Sequence, residues 1–558
     1  MQLVPLVLEK AVLPFDTSTV VLSKRDYIEL KWQANYWQMQ HAQAVKREEK
    51  LKEVLKQKEA IIRDLKQRLY GKKSEKKTKG KGKNNKNLNQ PTTKSTRSRG
   101  QQKGTAGHSR TARPDLPAID EIISLSEKTC PNCGKEYSTL PDEETSIIEI
   151  EVRAHVRRIK RQKCAKNCTC SSDSKIITAP IPPKLLPKSP YGISVWEHIL
   201  LNKFLYAQPV NRILNDLASL GLVISPGTIA GGLKKLAPLF IPIYESFRAQ
   251  QMTENKFHND ETRWEVYEQI EGKVGHRWYL WVTRSISVIY YAMDPTRSAK
   301  VPMKHFADLA SKFVIIICDR YSAYKKLARL NLAIILAFCW VHVRRDFLDL
   351  ARSHPSLSDW GLAFADDISK LFHLNNERLT VWDKTIPLTE QSSLFNEKHA
   401  AVGVALSNMN VRCENLLIAD QIARNKKEQT AERLEKAQQK VLISLQKHWK
   451  GLNVFYEHPE VSMDNNPAEQ SIRNPVLGRN SYYGSGSLWS AELAAMMFSI
   501  FQTIILWRLN PRTWLKFYLQ ACANNAGKSP KNLNEFLPWM MNNERRQQLS
   551  KPPKDDSS

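Results

Sequence analysis

Three acidic residues stand where a fold can bring carboxylates together. Asp260 lies in His258-Asn259-Asp260-Glu261-Thr262, where it opens a strand-like run. Asp319 follows Phe313 to Cys318, a continuous apolar run of the kind that forms a buried strand. Glu469 lies in Asp464-Asn465-Asn466-Pro467-Ala468-Glu469, where Asn and Pro mark a helix start. Converging carboxylates can hold two divalent cations ~3.5–4 Å apart, one activating the attacking oxygen of phosphodiester chemistry and the other stabilising the leaving oxygen. Taken singly, each acid is as readily a turn or cap residue, and pattern alone does not select these three from 56.

The cysteines form a second group. Five of the nine lie between Cys130 and Cys170. Cys130-Pro-Asn-Cys133-Gly reads as a knuckle turn, followed by strand-like alternation through Ile147, Ile148, Ile150, Val152 and Val156, then by Cys164, Cys168 and Cys170. This is the plan of a zinc ribbon holding one structural Zn²⁺. Three thiols compete for the last two places: Cys164 and Cys168 are read as ligands, with Cys170 as the alternate. The other reading is free thiols in a small basic module. Cys339 and His342, spaced i, i+3 on a helix, make half a metal site. No second pair is apparent in the sequence, so a structural role beneath the active site is preferred.

These groups sit in a chain of 558 residues carrying a formal charge of +28. That surplus favours a polyanionic partner, above all nucleic acid. Between Lys72 and Arg110 there are thirteen basic residues and one acid. With 42% hydrophobic residues, wholesale disorder is excluded. No run reaches the ~18–20 apolar residues of a membrane span, and Leu493 to Leu506 reads as a buried helix. The first 14 residues do not read as a signal peptide, because Glu9 and Lys10 interrupt a short apolar run. Clustered thiols without a secretion signal point to a reducing, cytoplasmic setting.

Several elements must position the chemistry. Residues 24–70 lack Pro and Gly and carry a 4,3 seam through Tyr27, Leu30, Ala34, Trp37, Ala44, Leu51, Leu55, Ile62, Leu65 and Leu69, with polar interruptions. This predicts a coiled coil and hence at least a homodimer; the alternative is a long solvated helix packed on its own chain. Residues 71–115 read as a disordered basic linker able to neutralise phosphates, and 120–180 as the zinc module. Residues 190–245 read as a helix-turn-helix-like region, with Ser225 capping a helix and Pro226 at its first position; such hairpins are also ordinary packing units. Strand-like runs over 264–270, 276–283 and 286–292, then 313–318 and 333–338, suggest three antiparallel strands followed by βαβ units. The whole is a multidomain α/β chain. Its ribonuclease H-like core spans 250–346 and 460–490, a helical insertion fills 347–459, and C-terminal helices occupy 491–545.

The chain resembles the transposases of the bacterial insertion sequence 66 family, a branch of the DDE (Asp-Asp-Glu) transposases, along nearly its whole length. The resemblance rests on Arg68-Leu69-Tyr70-Gly71-Lys72-Lys73-Ser74-Glu75-Lys76, the Cys130/Cys133 module, Asp260-Glu261-Thr262, Asp319-Arg320-Tyr321, and Cys339-Trp340-Val341-His342-Val343-Arg344-Arg345-Asp346-Phe347. Asp464 to Glu469, Gly478-Arg479-Asn480 and Gly484-Ser485 complete it.

The resemblance implies DNA strand transfer with Asp260, Asp319 and Glu469 as the catalytic triad and two Mg²⁺ ions as cofactor. Hydrolysis at the element's ends would free a 3′-hydroxyl that attacks target DNA. The implied partners are terminal inverted repeats and target DNA, with accessory proteins of the same element, and the setting is bacterial and nucleoid-associated. Lys72, Lys73, Lys76, Lys77, Arg344, Arg345 and Arg479 are the expected nucleic-acid contacts, although Arg344 and Arg345 could instead pair with local acids. Trp340 is expected in the core. Three features depart from the family pattern: Arg320 in place of Gly, Gln470 in place of Arg, and the irregular second zinc half. Of these, Arg320 matters most, since a cation beside a metal ligand would compete with the ion or clamp a phosphate. A DNA-binding remnant without chemistry, and a ribonuclease H-like nuclease without strand transfer, are the rival readings.

Overall fold

The computed structural model describes residues 21–70, 153–165, 176–309, 313–425 and 434–552. The chain divides into two units, one of them Lys73–Val152, which lies outside the described residues together with Lys72. The linker expected over 71–115, its Lys73, Lys76 and Lys77, and Cys130, Cys133, Cys168 and Cys170 of the expected zinc module therefore also lie outside them. Of that module, Cys164 is described: it is exposed on β1 (Lys163–Ala165), which pairs antiparallel with β2 (Ile176–Thr178).

The remaining unit begins with α1 (Lys24–Tyr70), a single helix over the range predicted. Its seam residues Tyr27, Leu30, Trp37, Leu51, Leu55 and Ile62 are each more than half exposed. After β2 come α2 (Ile193–Leu200), α3 (Val210–Ser219) and α4 (Pro226–Met252). The Ser225 side chain accepts a hydrogen bond from the Thr228 amide at 3.2 Å, and Pro226 opens α4 where its missing N–H costs nothing.

A five-stranded sheet follows: β3 (Lys256–Glu265), β4 (Arg277–Arg284), β5 (Ile289–Asp294), β6 (Val314–Cys318) and β7 (Ile334–Phe338). Helices α5 (Lys300–His305) and α6 (Ser322–Leu330) join its later strands. The strand order is β5-β4-β3-β6-β7. β3, β4 and β5 run antiparallel, while β3, β6 and β7 run parallel. Along β4, Leu280 and Val282 enter one core and Trp281 the other, the alternation of a sheet covered on both faces.

Two strand boundaries differ from those predicted. The first strand spans Lys256–Glu265 rather than 264–270, so Asp260 sits inside a strand instead of opening one. Its polar run stays extended because β4 pairs with it from His258 to Glu265, and β6 pairs with Lys256 to His258. Alternation alone favoured the more apolar residues beyond it. The third strand starts at Ile289, because the Ser285 amide donates to the Val288 carbonyl at 2.9 Å and closes a turn first.

Beyond the sheet lie α7 (Trp340–Ser353), α8 (Ser358–Thr380), α9 (Ser393–Asn425), α10 (Lys436–Lys447), α11 (Trp449–Leu452) and α12 (Val454–Glu457). They fill the span expected to be a helical insertion and build the second core with β6 and β7. The chain returns through α13 (Asn466–Tyr482), α14 (Leu488–Leu506), α15 (Pro511–Asn524) and α16 (Asn543–Ser550). At 19 residues α14 is longer than the apolar run noted in the sequence, and by length and composition it is apolar enough to cross a membrane. Most of it is buried in the first core, where Ser499 and Thr503 donate to or accept from neighbouring backbone, including the amides of Tyr291 and Ile289. It is a core helix by its contacts.

Candidate active site

The site grows out of the sheet register. β3 and β6 run parallel with His258 opposite Ile317. Two residues beyond this pair stand Asp260, within β3, and Asp319, just past the last residue of β6, so both acids lie towards the same end of the parallel pair. Asp319 follows the last residue of β6, as predicted, and its Oδ1 accepts from the Tyr321 amide at 2.9 Å just ahead of α6. Asp260 Oδ1 accepts from the Glu261 amide at 2.9 Å.

Glu469 arrives from a helix 150 residues later in the chain. It lies in the first turn of α13, where a carboxylate is favoured by the exposed amides of the helix end. Asn465, almost fully buried, fixes that helix to the sheet. Its Nδ2 donates to the Asn259 carbonyl at 2.8 Å, its Oδ1 lies 3.2 Å from His258 Nδ1, and its amide donates to Cys339 Sγ at 3.3 Å. Because burial holds the His258 imidazole down at about 4, the ring is neutral and donates through Nδ1. Further along α13, Arg284 donates to the Pro467 carbonyl, Tyr291 to the Ser471 carbonyl, and Arg479 to Thr262 Oγ1 and the Arg263 carbonyl. Gly484 (φ +152°) then brings the chain so close to β3 that a Cβ would sit 2.1 Å from the Glu265 carbonyl oxygen.

The charges of Asp319 and Glu469 act on Asp260. Burial pushes the Asp260 carboxyl up to about 8, and the nearby charges of Glu261, Asp319 and Glu469 push in the same direction against the Glu261 amide. Glu261 itself is raised by burial and by Asp319, while Arg297 and Tyr324 pull it back. Its side chain is nearly inaccessible: Arg297 Nε donates to it at 2.8 Å and the Tyr324 hydroxyl at 2.9 Å. A buried carboxyl with other acids nearby is a donor suited to a hard divalent cation, which would supply the missing positive charge. The buried Glu469 Oε1 has no hydrogen-bond partner, which agrees with a ligand atom awaiting an ion.

The other candidates separate. Arg320 turns away from the acids: it donates to Asp346 at 2.6 Å and to Ser444 Oγ at 3.1 Å, tying the sheet to α7 and α10. The competition with a metal ion raised by this residue is therefore met by an ion pair elsewhere. Arg344 donates to Ser369 Oγ at 3.0 Å, whereas Arg345 is exposed and close enough for its charge to act on His342. Arg479 holds β3 to α13. Trp340 is fully buried, as expected, and donates to the Leu452 carbonyl at 2.7 Å.

Cys339 and His342 gain one further candidate ligand that the sequence did not show, Glu469, 127 residues beyond His342. Sequence reading missed this because the partner comes from across the whole helical span. It also passed over Glu261 and Asn465, both inside quoted motifs, because nothing in their spacing shows burial.

Among known proteins, the model of the Transposase IS66 family matches residues 188–493. The chain is 24% identical over 451 residues to the uncharacterised protein y4hP of Sinorhizobium fredii, covering 76% of each. It is 23% identical over 437 residues to the uncharacterised protein y4jD of the same organism, covering 76% of this chain and 80% of that one. No solved structure matches.

One pH dependence follows from Asp260. A carboxyl that keeps its proton more tightly in the folded chain supports the fold fully below its unfolded value of 3.8, and that support is lost as pH rises through about 8. In EDTA, Asp260→Asn is expected to melt above the wild type at about pH 9, with the gap closing towards about pH 4. A gap that is independent of pH would contradict the burial of this acid, and thermal melts across that range measure it.

Proposed function

The chain belongs to the Transposase IS66 family, and from that premise we propose that it binds the ends of an insertion sequence and catalyses divalent-metal-dependent DNA cleavage and strand transfer. What supports this reading is that Asp260 and Asp319 lie towards the same end of the parallel strand pair, with the charges of Asp319 and of Glu469 on α13 acting on Asp260. The strand order and directions support a ribonuclease H-like core, with the helices over 347–459 as its insertion. Magnesium, held by the three carboxylates, would supply the Lewis-acid charge for attack on and departure from phosphorus.

The chain's own residues do the rest. The sheet register fixes the spacing of Asp260 and Asp319, and Asn465 sets where Glu469 stands. Neutral His258 adds no competing cation. Exposed Arg345, beside His342, is positioned to meet a DNA phosphate, and the basic stretch between Lys72 and Arg110 would add non-specific affinity by counterion release. The α3–α4 pair is proposed as a helix-turn-helix DNA contact and the cysteine module, with one Zn²⁺, as a second.

We assign α1 to pairing with a second copy of the chain, since transposition requires two ends held together and the apolar seam residues Tyr27, Leu30, Trp37, Leu51, Leu55 and Ile62 are exposed. Accessory proteins of the same element are further expected partners, and the proposed site of action is bacterial DNA in the cytoplasm.

Cleavage and strand transfer on labelled element-end DNA with Mg²⁺ test the central reading. Wild type is expected to give both products and Asp319→Ala neither, with end binding retained. Tight end binding without products, even from pre-cleaved ends, would instead indicate a DNA-binding remnant. Pairing is tested by light scattering: Leu51→Lys with Leu55→Lys is expected to halve the mass of the free chain, and an unchanged mass would place the dimer contact elsewhere.

A further inference from the structure

Cys339, His342 and Glu469 offer a thiol, an imidazole nitrogen and a carboxylate oxygen that all lie within 4.8 Å of one another. Cys339 caps the start of α7, His342 stands one turn on, and Glu469 enters from α13. His342 Nε2 is 3.8 Å from Glu469 Oε1, beyond hydrogen-bond reach. The buried His342 Nδ1 and Glu469 Oε1 have no hydrogen-bond partner at all. Each is withdrawn from water without a partner, a costly state for a polar atom, and it indicates that something else satisfies the cluster.

The donor set says what that is. Magnesium takes oxygen ligands, whereas a sulfur, a nitrogen and an oxygen together suit a borderline-soft ion such as Zn²⁺. Zinc–ligand bonds of about 2.0–2.3 Å put tetrahedral ligand atoms roughly 3.3–3.8 Å apart, so small side-chain movements would close this cluster on an ion. Three protein ligands leave the fourth position open.

Cys339 Sγ accepts from the Asn465 amide at 3.3 Å and from the amides of Val341 and His342, which orient it as outer-sphere donors do in metal sites. Burial nonetheless pushes the thiol up to about 11, so a bound ion would displace its proton.

We infer that Cys339, His342 and Glu469 form a site for a zinc-class divalent cation, which competes with magnesium by sharing Glu469. The sharing rests on the reading of Glu469 as a catalytic carboxylate; the site itself does not. Zinc occupancy withdraws Glu469 from Asp260 and Asp319, so the chain is held inactive when this ion is abundant.

The test uses the full-length chain, incubated with excess Zn²⁺ and desalted, with zinc counted by atomic emission. Wild type is expected to retain one equivalent more than either Cys339→Ser or His342→Ala, whatever the cysteine module holds in all three. With Co²⁺ as probe, a thiolate-to-cobalt absorbance present in wild type is expected to be missing in Cys339→Ser. Equal metal counts and equal spectra, with melting curves showing all chains folded, would overturn the site. In end-cleavage assays the zinc concentration that halves the magnesium-dependent rate should rise roughly tenfold or more in Cys339→Ser. Zinc bound in the expected ratio with cleavage unaffected would overturn the sharing, and with it the catalytic assignment of Glu469. Cleavage lost in Glu469→Gln with equal zinc counts would leave that assignment standing and overturn the zinc site.

Discussion

The structure depends on holding like charges together. Asp260 and Asp319 lie towards the same end of the parallel pair β3 and β6, and Glu469 enters on α13, with the charges of both Asp319 and Glu469 acting on Asp260. Burial, with the nearby charges of Glu261, Asp319 and Glu469 acting in the same direction, makes Asp260 keep its proton to about pH 8. The favourable contacts that offset it lie around the acids: a buried asparagine that fixes α13, an arginine and a tyrosine on Glu261, and the N-terminal turn of α13 that carries Glu469. Helix ends of that polarity favour anions. A cation would complete the balance.

Distance along the chain explains the rest of the architecture. The sheet is finished at Phe338, yet the third acid does not arrive until Glu469. The intervening helices build a core of their own on β6 and β7, and Arg320 ties that core back through Asp346 and Ser444. Asn465 then acts as the return point: it contacts β3 through both side-chain atoms and the start of α7 through its amide. Placing Glu469 therefore depends on hydrogen bonds between segments about 125 to 205 residues apart, a large share of long-range contact for a domain to assemble.

What could be read from the sequence follows the reach of each signal. Helix periodicity over 24–70, the Ser225-Pro226 cap and the apolar strand before Asp319 are local, and each stands where the residues predicted. The first strand was misplaced because His258 to Thr262 is polar, and only its pairing on both sides keeps it extended. The three acids were picked out by family resemblance rather than by pattern, since convergence is a property of register and topology. The joining of Glu469 to Cys339 and His342 left no local trace at all, and neither did the burial of Glu261. Arg320 showed the opposite case: an apparent conflict in the sequence that an ion pair resolves.

The central claim is that Asp260, Asp319 and Glu469 act together on a divalent cation. Calorimetric titration with Mn²⁺, run near neutral pH in two buffers of different ionisation enthalpy, tests it most directly. Binding should release a proton, because Asp260 must lose one to become a ligand, and Asp260→Asn should abolish that release while weakening the binding. Binding with no proton release, unchanged by Asp260→Asn or Asp319→Asn, would contradict the account.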